Sequence, residues 1–126
     1  VAMVGRTAVH DDDILGFRIP AGALVMPYFW GVHRHDGFWK NPDAFDPDRF
    51  SEENSKGRDP WCYLPFSGGQ RICIGNPFSL METTMLVAMI LRRFDVELAV
   101  PVAAIEPVAI ATVRPSRPVD VRLRWR

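Results

Sequence analysis

Residues 66–82 read FSGGQRICIGNPFSLME, and the fold of the whole chain is best understood from this stretch. It places Cys73 in a glycine-rich loop directly before an apolar segment with helical spacing. Gly68, Gly69 and Gly75 lack a Cβ, so the backbone around the cysteine can approach a bulky group closely. A thiolate at this position would be stabilised by the N-terminal end of the helix and by free backbone N–H groups. A buried structural cysteine in a glycine-rich turn is the alternative.

Arg71 lies two residues before Cys73 and can offer a guanidinium from the same loop to a carboxylate. The loop therefore combines a soft sulfur ligand, glycines that leave room for a flat apolar ring, and a cation for acidic substituents. A haem whose iron takes a thiolate as axial ligand would satisfy all three features. The loop predicts a haem-thiolate site.

The loop also resembles a known family. Its fixed residues follow the pattern F-x-x-G-x-R-x-C-x-G of the cytochrome P-450 monooxygenases, with Phe66, Gly69, Arg71, Cys73 and Gly75 in the defining places. The chain is similar to the C-terminal part of that longer, mainly α-helical fold. The resemblance implies that Cys73 is the axial ligand of the haem iron, and that the other four residues help to bind the haem. It implies an α+β fragment with a small antiparallel sheet, the cysteine loop, a long proximal helix and a C-terminal β-hairpin.

The first 30 residues predict the small antiparallel sheet. Three runs rich in β-branched and apolar residues, 1–9, 14–19 and 23–30, read as strands. An acidic turn around Asp12 and a second turn at Ala21–Gly22 separate them.

Residues 31–65 predict an irregular segment, because prolines and Asp-Pro breaks interrupt it repeatedly. Its polar part, residues 51–59, is expected to be a solvated loop. Arg49 is a charged residue among aromatic anchors, and a buried arginine needs partners. The family supplies them from an upstream E-x-x-R helix, which these 126 residues lack. Arg49 is therefore expected to be without these family partners in this chain.

After the cysteine loop at 66–75, residues 76–94 predict a helix with Asn76 as N-cap and Pro77 as first helical residue. Methionines recur along it at helical spacing, which predicts a stripe facing a core. Residues 95–126 predict the β-hairpin region. Within it, the alternation over 119–125 predicts a half-buried strand. The five segments together form part of one incomplete domain.

The family order extends over essentially the whole chain. Arg6 falls at the family's R-x-A position, and the resemblance implies that Arg6 and Arg71 bind the haem propionates. The segment from Trp39 to Phe50 keeps the spacing W-x-x-P-x-x-F-x-P-x-R-F. The family's distal acid–threonine pair has no counterpart here, so no catalytic residue is assigned. The implied substrate-pocket residues are Val1, Ala2, Met3, Val4, Ala111 and Thr112.

The resemblance also implies an activity and partners. The full-length parent is expected to activate O2 and hydroxylate a hydrophobic small molecule, with electrons from a ferredoxin or flavoprotein reductase. This fragment alone is expected to be inactive. Fifteen basic and fifteen acidic side chains give no argument for a nucleic-acid partner. The sequence shows no secretory segment, which favours an intracellular protein, cytoplasmic if bacterial, and leaves open a membrane anchor in the parent.

Three further alternatives stay open at this point. The chain could be a non-catalytic, truncated remnant of such an enzyme. It could be a small metal-binding module that uses His33 and His35, which lie on one side of an extended chain. Cys62 and Cys73 could close a disulfide, although an intracellular chain favours free thiols and a passive packing role for Cys62.

Overall fold

A computed structural model of the chain describes residues 2–109 and 112–126. These residues form two compact units, Val1–Gly69 and Gln70–Arg126. None of the helices in the described ranges combines the length and the apolar character that crossing a membrane requires.

The first unit contains the predicted small antiparallel pairings. Strand β1 pairs with β4, where Arg6 lies opposite Val25. Strand β2 pairs with β3 as a hairpin, where Asp12 lies opposite Ile19. The strands are β1 (Arg6–Thr7), β2 (Asp12–Ile14), β3 (Phe17–Ile19) and β4 (Leu24–Val25).

The predicted acidic turn at Asp12 is wrong, because Asp12 begins β2 and the chain reverses at Leu15–Gly16. Both turn residues have positive φ, 54° and 84°, which is the combination that a tight two-residue hairpin requires. The Gly16 N–H donates to Asp13 Oδ1 at 2.8 Å and closes the turn. The turn at Ala21–Gly22 is confirmed.

Asp11 connects this hairpin to the following turn. Its carboxylate accepts hydrogen bonds from the Ala21 N–H at 2.8 Å and from Arg18 Nη2 at 2.9 Å. These two donors favour the ionised form, so the pKa of Asp11 lies below its ordinary value.

The predicted strands at 1–9 and 23–30 are much shorter than expected. Within the described residues of the first run, only β1 and an isolated bridge from Met3 to Tyr28 are extended pairings. Pro27 has no N–H to donate to a ladder, and the chain turns into a short helix, α1 (Phe29–Val32), soon afterwards. The Phe29 side chain is buried.

Residues 31–65 are irregular, as predicted, apart from short helical turns. The polar stretch 51–59 is not simply a loop, because Ser51 Oγ accepts the Asn54 N–H at 3.3 Å and caps a helical turn. The segment has an apolar centre, with Trp39 4% exposed and Cys62 1% exposed. Its regular turns are the 3-10 turns Pro47–Phe50 and Pro60–Cys62 and the helix α2 (Glu52–Ser55).

The second unit contains the predicted long helix and the C-terminal strands. Strands β5 and β8 pair antiparallel, and so do β6 and β7, which confirms the hairpin region. Its elements are α3 (Asn76–Leu91), β5 (Phe94–Leu98), a 3-10 turn at Val102–Ala104, β6 (Pro107–Ala109), β7 (Val113–Pro115) and β8 (Val121–Trp125).

The helix α3 differs from the prediction at both ends. Gly75 is its N-cap, and Asn76 is already helical, with its N–H donating to the Cys73 carbonyl at 3.2 Å. Asn76 Oδ1 caps nothing: it is buried and accepts no hydrogen bond from residues 2–109 or 112–126. The helix ends at Leu91 because Phe94 starts β5, whose pairing with β8 takes over the backbone hydrogen bonds.

The prediction of a core-facing methionine stripe is wrong for this structure. Met81, Met85 and Met89 are 56%, 58% and 55% exposed, and no described residue of α3 is buried. Apolar side chains are distributed around the helix rather than along one face, a pattern typical of a helix that is buried on all sides, yet none of its residues is buried.

Strand β8 is likewise exposed rather than half-buried. Its alternation is real, because Leu123 and Trp125 lie opposite Val96 and Phe94 of β5. The face that these residues share is nevertheless open to solvent.

Candidate functional site

Cys73 lies in the loop between a 3-10 turn at Gly69–Arg71 and the helix α3. Its thiol is free and exposed, whereas that of Cys62 is free and buried. The structure therefore contradicts the buried structural role for Cys73 and agrees with the passive packing role of Cys62. The 16-residue helix α3 begins three residues after Cys73, so the positive N-terminal end of its dipole lies next to the loop.

The glycines of the loop serve different purposes. A Cβ built on Gly75 would lie 3.7 Å from Cys73 Sγ, so its absence leaves one side of the sulfur open to backbone approach. Gly69 has open space around its Cα but a φ of +68°, so its requirement is conformational. A Cβ on Gly68 would come within 3.0 Å of Leu64 Cδ2, so Gly68 permits close packing.

Both candidate propionate-binding arginines are exposed. Arg6 projects from β1, and among the described residues its Nη1 donates to the carbonyl of its neighbour Gly5 alone, at 2.8 Å. Arg71 ends the 3-10 turn of the loop, and no acceptor in residues 2–109 or 112–126 binds its guanidinium. Most of the donors of both side chains thus remain available to an anion.

Phe66 is half-buried at the start of the loop, where Pro65 forms an isolated bridge to Ser67. Of the predicted substrate-pocket residues, Ala2 is buried, and its carbonyl accepts the Trp30 N–H at 3.1 Å. Val1 and Ala111 lie outside the described residues. The others vary in exposure: Met3 and Thr112 are exposed and Val4 is half-buried.

The partners from an E-x-x-R helix are absent from these 126 residues, and other groups of the chain bind Arg49 in their place. Its side chain is 14% exposed, lies 3.9 Å from the Asp46 carboxylate through Nη2, and donates to four backbone carbonyls. The acceptors are Asp46 at 3.1 Å, Lys40 at 3.1 Å, Asn41 at 3.3 Å and Ala44 at 2.9 Å. The Asn41 carbonyl also accepts the Ala44 N–H at 3.0 Å, and the guanidinium adds a donor to all four carbonyls.

His33 forms a contact that no sequence pattern indicated. Its Nε2 accepts the Leu64 N–H at 2.8 Å, across 31 residues of chain. Burial lowers the pKa of His33, and the positive charge of Arg34 acts in the same direction. The imidazole is thus neutral at neutral pH and can act as an acceptor.

The structure does not support the metal-module alternative. Across the described ranges, no group of three His, Cys, Asp or Glu side chains lies close enough to hold a metal ion. His33 Nε2 is already engaged by Leu64, and His35 Nδ1 accepts the Gly37 N–H at 3.1 Å.

Comparison with known sequences gives a consistent result. The family described as Cytochrome P450 matches residues 1–122. Human cytochrome P450 4X1 is 49% identical over 81 residues, which is 64% of this chain and 16% of the relative. Rat cytochrome P450 4V2 is 40% identical over 99 residues, which is 77% of this chain and 18% of the relative. The chain thus spans less than a fifth of the length of the curated relatives that it matches.

Comparison with solved structures confirms the predicted fold class. The crystal structure of the cytochrome P450DA heme domain matches with a TM-score of 0.87 and 32% sequence identity. The match covers 99% of this chain and 28% of that chain. With the cysteine loop in place and a family match over nearly its full length, this chain belongs to the cytochrome P450 family.

Proposed function

We propose that this chain is the C-terminal, cysteine-bearing part of a haem-thiolate monooxygenase. The full-length enzyme activates O2 and hydroxylates a hydrophobic small molecule. One observation carries the proposal: the free, exposed thiol of Cys73 directly precedes a 16-residue helix in the five-residue loop pattern of the family.

Family membership implies haem as the cofactor, and the residues of the loop suit it. Cys73 would hold the haem iron through its sulfur, and Gly75 would leave room for backbone N–H groups beside that sulfur. When bound, a thiolate-ligated haem supplies oxygen activation, because the thiolate pushes electron density towards the iron and favours O–O cleavage. The protein tunes this chemistry through the charge and hydrogen bonding around Cys73.

Arg71 and Arg6 bind the two haem propionates in this proposal. Charge-assisted hydrogen bonds between guanidinium and carboxylate are stronger than neutral ones, and both arginines have free donors. Phe66 and Gly69 shape the start of the loop. Phe66 contributes apolar surface, and Gly69 contributes the left-handed backbone that turns the chain.

Substrate and electrons reach the enzyme by different surfaces in this proposal. The pocket residues at 1–4 and 111–112 are apolar or small, which suits a hydrophobic substrate. Electrons come from a ferredoxin or flavoprotein reductase. Exposed Gln70, Arg92 and Arg93 provide a polar, cationic surface that complements an acidic donor protein.

The ligand assignment is tested by replacing Cys73 in the full-length enzyme. The reduced, carbon-monoxide-bound wild type is expected to show the red-shifted Soret band of thiolate ligation, and Cys73→Ala is expected to abolish it. Cys62→Ala is the matched control, because it removes the other free thiol and should keep the band. An unchanged spectrum in Cys73→Ala would refute the assignment.

A second test concerns this chain alone. The family's distal acid–threonine pair is absent from its 126 residues, and the thiol of Cys73 is exposed. We expect the isolated chain neither to hold haem tightly nor to oxidise substrate. Spectroscopic haem titration checks this, and a stable, reducible complex that turns over would contradict it.

A further inference from the structure

The chain that enters the cysteine loop is fixed at Leu64 by three contacts. The Leu64 N–H donates to His33 Nε2 at 2.8 Å. The Leu64 carbonyl accepts the Ser67 N–H at 3.2 Å. Its Cδ2 lies 3.0 Å from where a Cβ on Gly68 would stand, so the side chain packs directly against that glycine. The backbone and side chain of one residue therefore determine where the loop begins.

The loop needs such an anchor because part of its backbone is strained. Ser67 has a φ of +66°, a conformation that costs a non-glycine residue energy and persists only when its surroundings hold it. Gly69 follows with a φ of +68°. The hydrogen bond from the Ser67 N–H to the Leu64 carbonyl holds the strained residue in place. Any movement of Leu64 would therefore also move Ser67.

The imidazole that holds Leu64 is itself held in place. His33 follows α1, and its own N–H donates to the Phe29 carbonyl at 2.9 Å. Its ring lies 5.2 Å from the ring of Tyr63, tilted by 44°. In residues 2–109 and 112–126, no other bond between a side chain and the backbone joins residues more than 10 positions apart. The two ends of the irregular segment thus meet through this hydrogen bond.

We propose that His33 is a positioning residue for the cysteine loop: its neutral imidazole accepts the Leu64 N–H and fixes the chain that leads to Cys73. The inference rests on the proposed function in one respect, which is that the loop presents Cys73 to haem. Since Nε2 is the acceptor, the ring proton must sit on Nδ1.

The tautomer is the direct test, and it needs no substitution. In the 126-residue chain at neutral pH, the nitrogen-15 resonances of the His33 ring are expected to show a protonated Nδ1 and an unprotonated Nε2. A proton on Nε2 would overturn the proposal, because that nitrogen could not then accept from Leu64.

Two substitutions distinguish the role of the hydrogen-bond acceptor of His33 from the role of its aromatic ring. His33→Phe keeps the ring stacked near Tyr63 but removes the acceptor, so hydrogen exchange of the Leu64 amide should become roughly tenfold faster. His33→Gln places an amide oxygen near the position of Nε2 and should bring the exchange rate of the Leu64 amide back to within about twofold of the wild-type rate. His10→Phe is the matched control, because His10 is exposed and lies outside this contact. Equal Leu64 exchange in wild type and His33→Phe would overturn the proposal.

The effect on the cysteine loop is measured in the full-length enzyme, as the fraction of protein that shows thiolate ligation of the haem iron. His33→Phe is expected to lower the fraction of reduced, carbon-monoxide-bound protein that shows the red-shifted Soret band, and His33→Gln to restore it. Faster Leu64 exchange with an unchanged fraction would overturn the positioning role. If the wild-type enzyme lacks the band altogether, the proposed function fails, while the tautomer and the exchange rates still decide whether His33 holds Leu64.

Discussion

The irregular segment, residues 31–65, and the regular helix α3 differ in how well their side chains are covered. The irregular segment buries Trp39 and Cys62 almost completely. The helix α3, although it is the longest regular element of the described residues, buries none of its own residues. Regular secondary structure and a packed environment are thus separate properties in this chain.

The difference has a physical cause. A helix satisfies its backbone groups internally, so its side chains need no particular neighbour. An irregular segment must satisfy its backbone with side chains: Trp39 Nε1 donates to the Val32 carbonyl at 3.2 Å, and Arg58 Nη2 donates to the Asn54 carbonyl at 3.0 Å. The Arg58 guanidinium also lies 4.7 Å from the Trp39 ring centre. These contacts require specific packing, and the packing buries the aromatic residues.

The largest expected effect concerns the amides of α3. A helix of this length with uncovered side chains is marginally stable in water, so its amides should exchange quickly in the 126-residue chain. In the full-length enzyme we expect them to exchange about 100-fold more slowly, because further elements cover the helix. Hydrogen exchange read by mass spectrometry checks both forms. Equal protection in the two would remove the contrast between the regions.

Truncating one side chain in each region gives the next largest effect. Trp39→Ala removes the buried centre of the irregular segment and should cost about 3–5 kcal/mol of unfolding free energy. Met85→Ala on the exposed helix should change it by less than about 0.5 kcal/mol. Urea unfolding of the 126-residue chain measures both. Similar costs at the two positions would contradict the comparison.

A smaller effect is expected from Arg49, which tests how much the hydrogen bonds from a side chain to backbone carbonyls stabilise the irregular segment. Arg49→Lys leaves a single nitrogen that cannot reach four carbonyls, and we expect a loss of about 1–3 kcal/mol. Arg18→Lys is the matched control, because Arg18 forms an exposed ion pair with Asp11 and the substitution should change stability very little. A loss at Arg49 no larger than at Arg18 would show that the carbonyl contacts add little.

The smallest effect is a pH dependence of the irregular segment. Burial lowers the pKa of His33 in the folded chain below its ordinary value of 6.5. Between the folded pKa and 6.5, the unfolded chain therefore binds more protons than the folded chain does. The contribution of His33 to the free energy of unfolding is therefore complete above about pH 6.5 and is lost as the pH falls through the lower pKa of the folded chain. His33→Gln should remove this part of the slope when unfolding is measured from pH 7 downwards. If the pH dependence of the unfolding free energy were unchanged in His33→Gln, it would have to arise from other titratable groups.

The parts that sequence predicted well are those encoded locally. The cysteine loop and the long helix follow from a motif and from periodicity within short windows, whereas the C-terminal β-hairpin was implied by the family resemblance. The reversal at Leu15–Gly16 escaped prediction because leucine has no preference for positive φ. The start of α3 was misplaced by one residue because Gly75 and Asn76 are both acceptable N-caps.

The contacts of Arg49 and His33 could not be predicted for a different reason. Both join segments whose approach depends on the path of an irregular backbone, and residue spacing carries no information about that path. The exposure of the methionines was mispredicted because periodicity indicates which residues share a face of a helix, not whether that face is covered.

The four carbonyls around Arg49 limit what else this side chain can bind. A guanidinium has five N–H groups, and Nε, one on Nη1 and both on Nη2 are already donated. One N–H remains. An incoming carboxylate can therefore take a single hydrogen bond, and the two-pronged pairing typical of arginine and carboxylate would require a carbonyl to leave. Arg49 presents to the rest of an enzyme a positive charge with nearly all of its hydrogen-bonding directions already in use.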